Sequence, residues 1–188
     1  EKNSIKSKII SILKNFNEVD FLNDQSIEDC IIISENTCFY GESGGQVGDT
    51  GTIKSKNGEF LVTDTKKTPQ GIFIHFGKLI SGSINVGDEV DISIDEERRS
   101  LIMKNHSATH LLHAALRNTL GNHVAQRGSL VNSEKLRFDF SHNKQISFDD
   151  INKIQDEVNS VIKTSSKSNI EIKSQEDAIK AGAIALDR

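Results

Sequence analysis

Residues 90–121 read VDISIDEERRSLIMKNHSATHLLHAALRNTLG, and within them a strand pattern gives way to a helix pattern. The first five residues, Val90–Ile94, read as a short strand. Asp95 then begins an acidic first turn, which is typical of a helix N-terminus, and a helical period continues to Leu120 before Gly121. We therefore predict a domain boundary near Asp95.

Before this boundary, short predicted strands alternate with turn residues at a regular spacing. Such spacing is typical of a small closed β-barrel, which we assign to residues 1–95. The predicted strands are Ile5–Leu13, Cys30–Ser34, Phe60–Thr65, Ile72–Leu79 and Val90–Ile94. The predicted turns lie at Asn57-Gly58, Pro69-Gln70-Gly71 and Gly87-Asp88.

Beyond the helix the sequence predicts a strand, a helix, a strand and a last helix, so residues 96–188 are expected to form an α+β domain. Apolar and charged residues alternate in Leu136–Phe140, as in a half-buried strand. Ser147 and Asp150 resemble a capping box that opens the middle helix. That helix has a predicted apolar face at Ile151, Ile154, Val158, Val161 and Ile162.

The remaining predicted elements are a strand over Asn169–Lys173 and a helix opened by Ser174 and Asp177 that continues through Leu186. The predicted fold class is thus α+β, with an N-terminal β-barrel.

Hydrophobic residues make up 35% of the 188 residues, which is adequate for globular cores. No apolar stretch approaches the roughly 20 residues of a membrane helix, and residues 1–8 lack the order of a signal peptide. We therefore expect a cytoplasmic protein without membrane contact. Cys30 and Cys38 have neither C-x-x-C nor disulfide-framework spacing, so we expect buried, reduced strand thiols.

The net charge of −4 argues against a generally basic nucleic-acid binder, but the charge is uneven along the chain. Residues 96–145 contain eight basic and four acidic residues, whereas residues 1–95 contain nine and fifteen. The middle segment is therefore the part that could face phosphates. Such a block is also common on ordinary solvated surfaces.

His106 and His110 lie four residues apart on the predicted helix, so their rings share one face and could chelate one metal ion. His113 lies on the same face. The apolar stripe, made of Ala108, Leu111, Leu112, Ala115 and Leu116, is expected on the opposite side, so the three histidines are expected outside the core. An H-x-x-x-H pattern also occurs by chance, and Ser107 stands where a zinc protease needs glutamate.

Two further segments are candidates for a ligand site. Residues 39–49, FYGESGGQVGD, combine glycines that permit close backbone approach with Gln46, whose amide is both donor and acceptor. The spacing fits neither a phosphate-binding P-loop nor a dinucleotide fingerprint, and a simple glycine-rich turn between strands is the alternative. Residues 126–131, QRGSLV, lead into the predicted strand, and an ordinary polar connection is the alternative there.

Three strings in this order resemble the editing region of bacterial alanyl-tRNA synthetases. They are CFYGESGGQVGDTG (38–51), NHSATHLLHAALRNTLG (105–121) and QRGSLVNSEKLRFDFSH (126–142). The resemblance extends over essentially the whole chain, including the order of barrel and α+β domain. It implies hydrolysis of the ester that joins serine or glycine to the tRNA for alanine.

The resemblance also implies roles for particular residues. His106 and His110 match the first two zinc ligands, and Gln46 matches a glutamine that projects into the pocket, where we assign it a catalytic role. Gly44, Gly45, Gln126, Gly128 and Ser129 are then expected to line the amino-acid pocket. The expected partners are the tRNA for alanine and the remainder of a synthetase that ligates alanine to tRNA with ATP. From the charge pattern, the candidate tRNA contacts are Arg98, Arg99, Lys104, Arg117 and Arg127.

The family completes its zinc site with a Cys-x-x-x-His motif downstream of the position matched by Arg188. We therefore expect the chain to be an incomplete editing region that binds zinc weakly or not at all and deacylates poorly. Three alternatives remain open at this stage. They are a free-standing trans-editing deacylase, a non-catalytic tRNA-binding module, and a translation-factor-like barrel with interaction roles alone.

Overall fold

The computed structural model describes residues 2–23, 30–164 and 174–181. Within them the chain forms strands β1–β9, then helix α1, strands β10 and β11, and helices α2 and α3. The strands are β1 (Ser4–Lys14), β2 (Asn17–Val19), β3 (Phe21–Leu22), β4 (Cys30–Ser34), β5 (Gly51–Lys54), β6 (Gly58–Lys67), β7 (Phe73–Gly82), β8 (Ile84–Asn85), β9 (Glu89–Ile94), β10 (Gln126–Val131) and β11 (Leu136–Phe140). The helices are α1 (Glu96–Leu120), α2 (Phe148–Thr164) and α3 (Gln175–Lys180).

Six strands close into a barrel in the order β1, β4, β7, β6, β5 and β9, with β9 pairing back onto β1. All of these neighbours are antiparallel, and closure places Ile5 opposite Ile92 and Ser7 opposite Val90. A closed barrel has no unpaired edge within its sheet, so every strand is protected by its neighbours. The predicted barrel and the α+β class are confirmed.

The barrel interior is filled by inward-facing apolar side chains from alternate strand positions, as the pleat of a strand requires. Its buried core comprises Ile9, Ile12, Leu22, Cys30, Ile32, Phe39, Ile53, Phe60, Val62, Leu79, Ile84, Val90, Ile92 and Ile94. One buried polar side chain among the strands is His75, whose Nδ1 lies 2.9 Å from the Ile32 carbonyl oxygen and whose Nε2 lies 2.9 Å from Thr37 Oγ1. Both ring nitrogens are therefore hydrogen-bonded.

The described residues divide into two compact units, one within residues 1–106 and 130–136 and the other within residues 107–129 and 137–188. The domain boundary predicted near Asp95 stays a prediction. The change of pattern that suggested it falls between the end of β9 and the start of α1. Asp95 Oδ1 accepts the Arg98 amide at 2.9 Å, as an N-cap aspartate does. The helix ends before Gly121, which has a φ of 112°.

The second unit has its own small core. Ala115, Leu116, Val124 and Ile154 are buried there, and Leu112, Leu120, Phe138, Phe140 and Val158 pack against them. Strands β10 and β11 pair as a two-stranded sheet. Ser147 caps α2, because its Oγ accepts the Asp150 amide at 3.1 Å and donates to the Asp150 carboxylate at 2.7 Å.

The predicted apolar face of α2 is only partly correct. Ile154 is buried and Val158 packs against the core, but Ile151, Val161 and Ile162 are 45%, 39% and 52% exposed. The three exposed residues lie toward the two ends of α2, whereas Ile154 and Val158 lie near its middle, so this small core covers only the middle of the helix. The predicted strand at Asn169–Lys173 lies outside the described residues, and so does the last helix beyond residue 181.

The prediction for the two cysteines needs a correction. Cys30 is a buried thiol of β4, as expected, but Cys38 is half-buried and lies in the connection after β4. The Cys38 thiol donates weakly to the carbonyl oxygens of Asn3 at 3.7 Å and Ile92 at 3.6 Å. Burial raises the pKa of the Cys38 thiol, so this sulfur is a poor nucleophile at neutral pH.

No helix in the described part of the chain combines the length and the apolar composition needed to cross a membrane.

Candidate functional site

The glycine-rich segment forms a tight two-residue turn. The Gln46 amide donates to the Ser43 carbonyl at 3.0 Å, and the Ser43 amide donates to the Gln46 carbonyl at 3.2 Å. Between them, Gly44 and Gly45 have φ values of 59° and 84°. Two successive left-handed residues are the signature of a type I′ turn, which glycine adopts without strain. The turn therefore explains why glycines stand at these two positions.

The turn is attached to the last residue of β10, Val131. The Val131 amide donates to the Gly45 carbonyl at 2.7 Å, and the Val47 amide donates to the Val131 carbonyl at 3.1 Å. The neighbouring Asn132 carbonyl accepts Asn105 Nδ2 at 2.8 Å. Two backbone hydrogen bonds thus fix the position of the residue between Gly45 and Val47.

That residue is Gln46, and its side chain meets a histidine of α1. Gln46 Oε1 lies 2.6 Å from His106 Nδ1, and Gln46 is only 6% exposed. Because an amide oxygen accepts only, the imidazole Nδ1–H is the donor, and this contact selects the tautomer of the ring. The structure therefore brings Gln46 and His106 together, while their chemical roles stay predictions.

The base of the glycine-rich loop is held by a buried ion pair. Arg99 Nε donates to Asp49 Oδ1 at 2.8 Å and to Oδ2 at 3.0 Å, and the Arg99 terminal nitrogen contacts the same carboxylate. The side chains of Arg99 and Asp49 are 11% and 2% exposed. Since this guanidinium is already occupied by a carboxylate, Arg99 is unsuited to the phosphate contact expected from the sequence.

The other predicted tRNA contacts fall into two groups. Arg98 donates to the Gly48 carbonyl at 2.9 Å, and Arg117 donates to the Asn122 and Val124 carbonyls at 3.0 Å each. These two arginines therefore hold neighbouring backbone segments, one near each end of α1. Lys104 and Arg127 are exposed.

The histidines of α1 differ in their surroundings. His110 is exposed, one turn after His106. His113 is only 9% exposed and packs against the Phe138 ring, with 5.0 Å between ring centroids. Burial lowers the pKa of His113, so this ring is neutral at physiological pH. The expectation that all three histidines avoid the core is therefore wrong for His113, because the small second core extends around the helix to that side.

The fit of a zinc ion can be judged from its donors. Among residues 2–23, 30–164 and 174–181, no three His, Cys, Asp or Glu side chains form a group able to hold a metal ion. A zinc site needs three or four protein ligands, and His106 with His110 would provide two. The described residues are therefore an incomplete donor set for zinc.

The remaining predicted pocket residues belong to the second unit. Gln126 begins β10 and is half-buried, as are Gly128 and Ser129. A β-carbon on Gly128 would lie 2.6 Å from Asp139 Oδ2, so a side chain there would displace that carboxylate. The predicted set is thus divided, with Gly44, Gly45, Gln46 and His106 in the first unit and His110, Gln126, Gly128 and Ser129 in the second.

Sequence reasoning missed four residues that hold the site. They are Asp49, Thr65, Asn105 and Asn132, which contribute the hydrogen bonds that fix the loop and the helix. Asp49 stands inside the quoted glycine-rich string, so its position was a usable signal. Its partner Arg99 is 50 residues away, and no local pattern connects the two.

Comparison with known proteins identifies the family. The model of the class II (A) tRNA synthetases matches residues 1–98. The chain is 45% identical over 184 residues to an alanine–tRNA ligase of Rickettsia rickettsii, an alignment that covers 98% of this chain and 21% of that protein. It is 42% identical over 181 residues to the alanine–tRNA ligase of Nitrosomonas europaea, covering 96% of this chain and 21% of that protein.

A third relative is the alanine–tRNA ligase of Rhizobium johnstonii, 48% identical over 155 residues, which cover 82% of this chain and 18% of that protein. The chain thus spans about a fifth of the length of the curated relatives it matches. The alignments with the Rickettsia rickettsii and Nitrosomonas europaea proteins cover nearly the whole chain, and therefore both compact units. The chain therefore belongs to the class II (A) tRNA synthetases, as a homologue of one segment of the alanine–tRNA ligases.

Proposed function

We propose that this chain is the editing part of an alanyl-tRNA synthetase and hydrolyses the ester of seryl- or glycyl-tRNA for alanine. The observation that carries the proposal is the contact of 2.6 Å between Gln46 Oε1 and His106 Nδ1, residues of two of the three strings that resemble the editing region. The Gln46 side chain is only 6% exposed and is hydrogen-bonded to a helix histidine, so it is held in one position, unlike the side chain of an ordinary surface loop. Such a fixed polar pair is what a positioned hydrolytic site requires.

The editing reaction has a physical rationale. A pocket built for alanine cannot strongly exclude a molecule of similar size that adds a hydroxyl, so a second, hydrolytic site improves discrimination. An aminoacyl ester is activated, and positioning of the ester and of a water molecule contributes much of the rate. In the proposed site the Gln46 amide hydrogen-bonds polar groups of the substrate, and its oxygen holds the His106 ring in one orientation.

The proposal includes zinc only for a longer chain that supplies further metal ligands. A zinc ion in such a site orients the substrate, polarises its carbonyl group or lowers the pKa of a bound water molecule. His106 and His110 are the residues of this chain that would hold it. Because their donor set is incomplete, we derive no reaction step through the metal.

The proposed partner is the tRNA for alanine, and the proposed parent enzyme ligates alanine to that tRNA with ATP. The relatives' names support both, since each is an alanine–tRNA ligase. The proposed phosphate contacts are Lys104 and Arg127, which are exposed. Arg99 is left out of this set because its guanidinium is paired with Asp49. Protein synthesis takes place in the cytoplasm, which is the proposed location.

Deacylation of seryl-tRNA tests the proposal. We expect a longer chain, which contains these residues and continues through a Cys-x-x-x-His motif, to release serine from tRNA for alanine. The 188 residues alone should do so much more slowly. His106→Ala in the longer chain should abolish serine release but not tRNA binding. A longer chain that binds the tRNA without ever releasing serine would favour the non-catalytic RNA-binding module.

A further inference from the structure

The Asp49–Arg99 ion pair lies at the base of the glycine-rich loop, within the same compact unit as Gln46 and His106. The Arg99 fork engages both carboxylate oxygens, and its terminal nitrogen also donates to the Cys38 carbonyl at 3.3 Å. Isolating such a pair from water costs free energy that its attraction seldom exceeds. Its presence therefore suggests a role other than general stability.

Asp49 also closes the loop on itself. Its Oδ2 accepts the Tyr40 amide at 2.7 Å, and its own amide donates to the Tyr40 carbonyl at 2.9 Å. Its carbonyl accepts Thr65 Oγ1 from β6 at 2.9 Å. The two ends of the loop that carries Gln46 are thus joined to each other and to the barrel.

Arg99 is the residue of α1 to which Asp49 is joined. It lies seven residues before His106 on α1, which is about two turns and roughly 10 Å along the same face. Beside it, Arg98 donates to the Gly48 carbonyl at 2.9 Å. Helix and loop are therefore joined at two levels, by Arg99 with Asp49 and by His106 with Gln46.

We propose that Asp49 and Arg99 are positioning residues of the site. The bidentate contact between the Arg99 guanidinium and the Asp49 carboxylate fixes the position of α1 along its axis and its rotation about that axis, relative to the loop. A single point contact would not fix both. His106 then meets Gln46 in one geometry. The inference rests on the proposed function only in its consequence for catalysis, because the positioning itself is a property of the folded chain.

A double-mutant cycle tests the positioning without any activity. Substitutions at residues that do not cooperate have additive effects on unfolding. Gln46→Ala should raise the unfolding equilibrium constant about fivefold in the wild-type background, as expected for one lost hydrogen bond. In an Arg99→Lys background, which keeps the charge but loses the fork, the same change should raise it less than about twofold.

The matched control is Ile84→Val, a mild change in the buried barrel core. In that background Gln46→Ala should keep its full effect on the unfolding equilibrium. Equal effects of Gln46→Ala in the Arg99→Lys and wild-type backgrounds would overturn the proposal. So would the absence of any effect of Gln46→Ala in the wild type, because the pair would then hold no productive contact.

Activity supplies the second readout in the longer chain. Arg99→Lys should lower kcat for serine release about tenfold and leave KM for the tRNA within about twofold, since misplacement affects the reaction more than binding. A rise in KM alone would contradict the positioning role. If the wild-type chain releases no serine, the proposed function fails, while the double-mutant cycle still decides whether the ion pair positions His106.

Discussion

Gln46 Oε1 lies 2.6 Å from His106 Nδ1, although 60 residues separate the two in the chain. The contact joins a loop of the barrel to the helix that follows it. The same two segments are joined again by Asp49 and Arg99. Five predictions follow from this arrangement and from its surroundings.

The first concerns Gln46 itself. In a chain with deacylase activity, Gln46→Ala should lower kcat by roughly 10- to 100-fold, because the His106 ring and the substrate lose their common hydrogen-bonding group. Gln70→Ala is the matched control, since Gln70 is an exposed glutamine in the β6–β7 turn. Single-turnover serine release measures both. Equal rates for the two variants would remove Gln46 from the site.

The second concerns two glycines of the same loop. A β-carbon on Gly48 would lie 2.0 Å from the Thr65 carbonyl oxygen, whereas one on Gly44 would have no atom within 4 Å. We expect Gly48→Ala to lower the free energy of unfolding by about 3 kcal/mol through overpacking. Gly44→Ala should cost only about 1 kcal/mol, the strain of its left-handed backbone. Urea denaturation compares them, and an equal cost would contradict the close approach at Gly48.

The third concerns pH. Burial lowers the pKa of His75 from its ordinary value of 6.5, so the unfolded chain binds this proton more readily than the folded chain. The free energy of unfolding should therefore fall as the pH decreases below about 6.5, and stop falling from this cause below the lowered pKa of the folded state. His75→Gln should reduce that slope. Urea titrations across this range measure it, and an unchanged slope would assign the pH dependence elsewhere.

The fourth concerns zinc. After dialysis the 188-residue chain should retain much less than one equivalent of zinc, since two imidazoles are too few for a stable site. Its unfolding midpoint should be the same with and without a chelator, because both cores consist of apolar residues. Elemental analysis decides the first point. Stoichiometric zinc in the dialysed chain would mean that the ligands have been misassigned.

The fifth concerns tRNA. If Lys104 and Arg127 each contact a phosphate, replacing both with glutamate should weaken binding and reduce the salt dependence of log K by about 1 to 2 units of slope. Lys56→Glu with Lys163→Glu is the matched control, because both of these lysines are exposed and lie outside residues 96–145. Titrations at several salt concentrations measure both pairs. Identical slopes would place the tRNA surface elsewhere.

The sequence by itself determined the elements whose cause is local. Apolar periodicity, turn glycines and the acidic turn at Asp95 predicted five of the six barrel strands and the extent of α1, because each pattern acts within a few residues. The sixth, β5 (Gly51–Lys54), was not predicted, because four residues are too few to show a clear alternation. The three strings that resemble the editing region predicted the family. The prediction for the α2 face was less successful, because how much of a helix is covered depends on the size of the core beneath it.

Only the tertiary structure decided which distant residues meet. Arg99 was one of several basic residues in the sequence, and the fold buried it against Asp49 instead of exposing it to phosphates. His113 was grouped with His106 by helical spacing, and the packing of Phe138 separated their environments. Periodicity specifies which residues share a face, but not what that face meets. That depends on long-range packing, and through it on where barrel closure and the Val131 hydrogen bonds place Gln46.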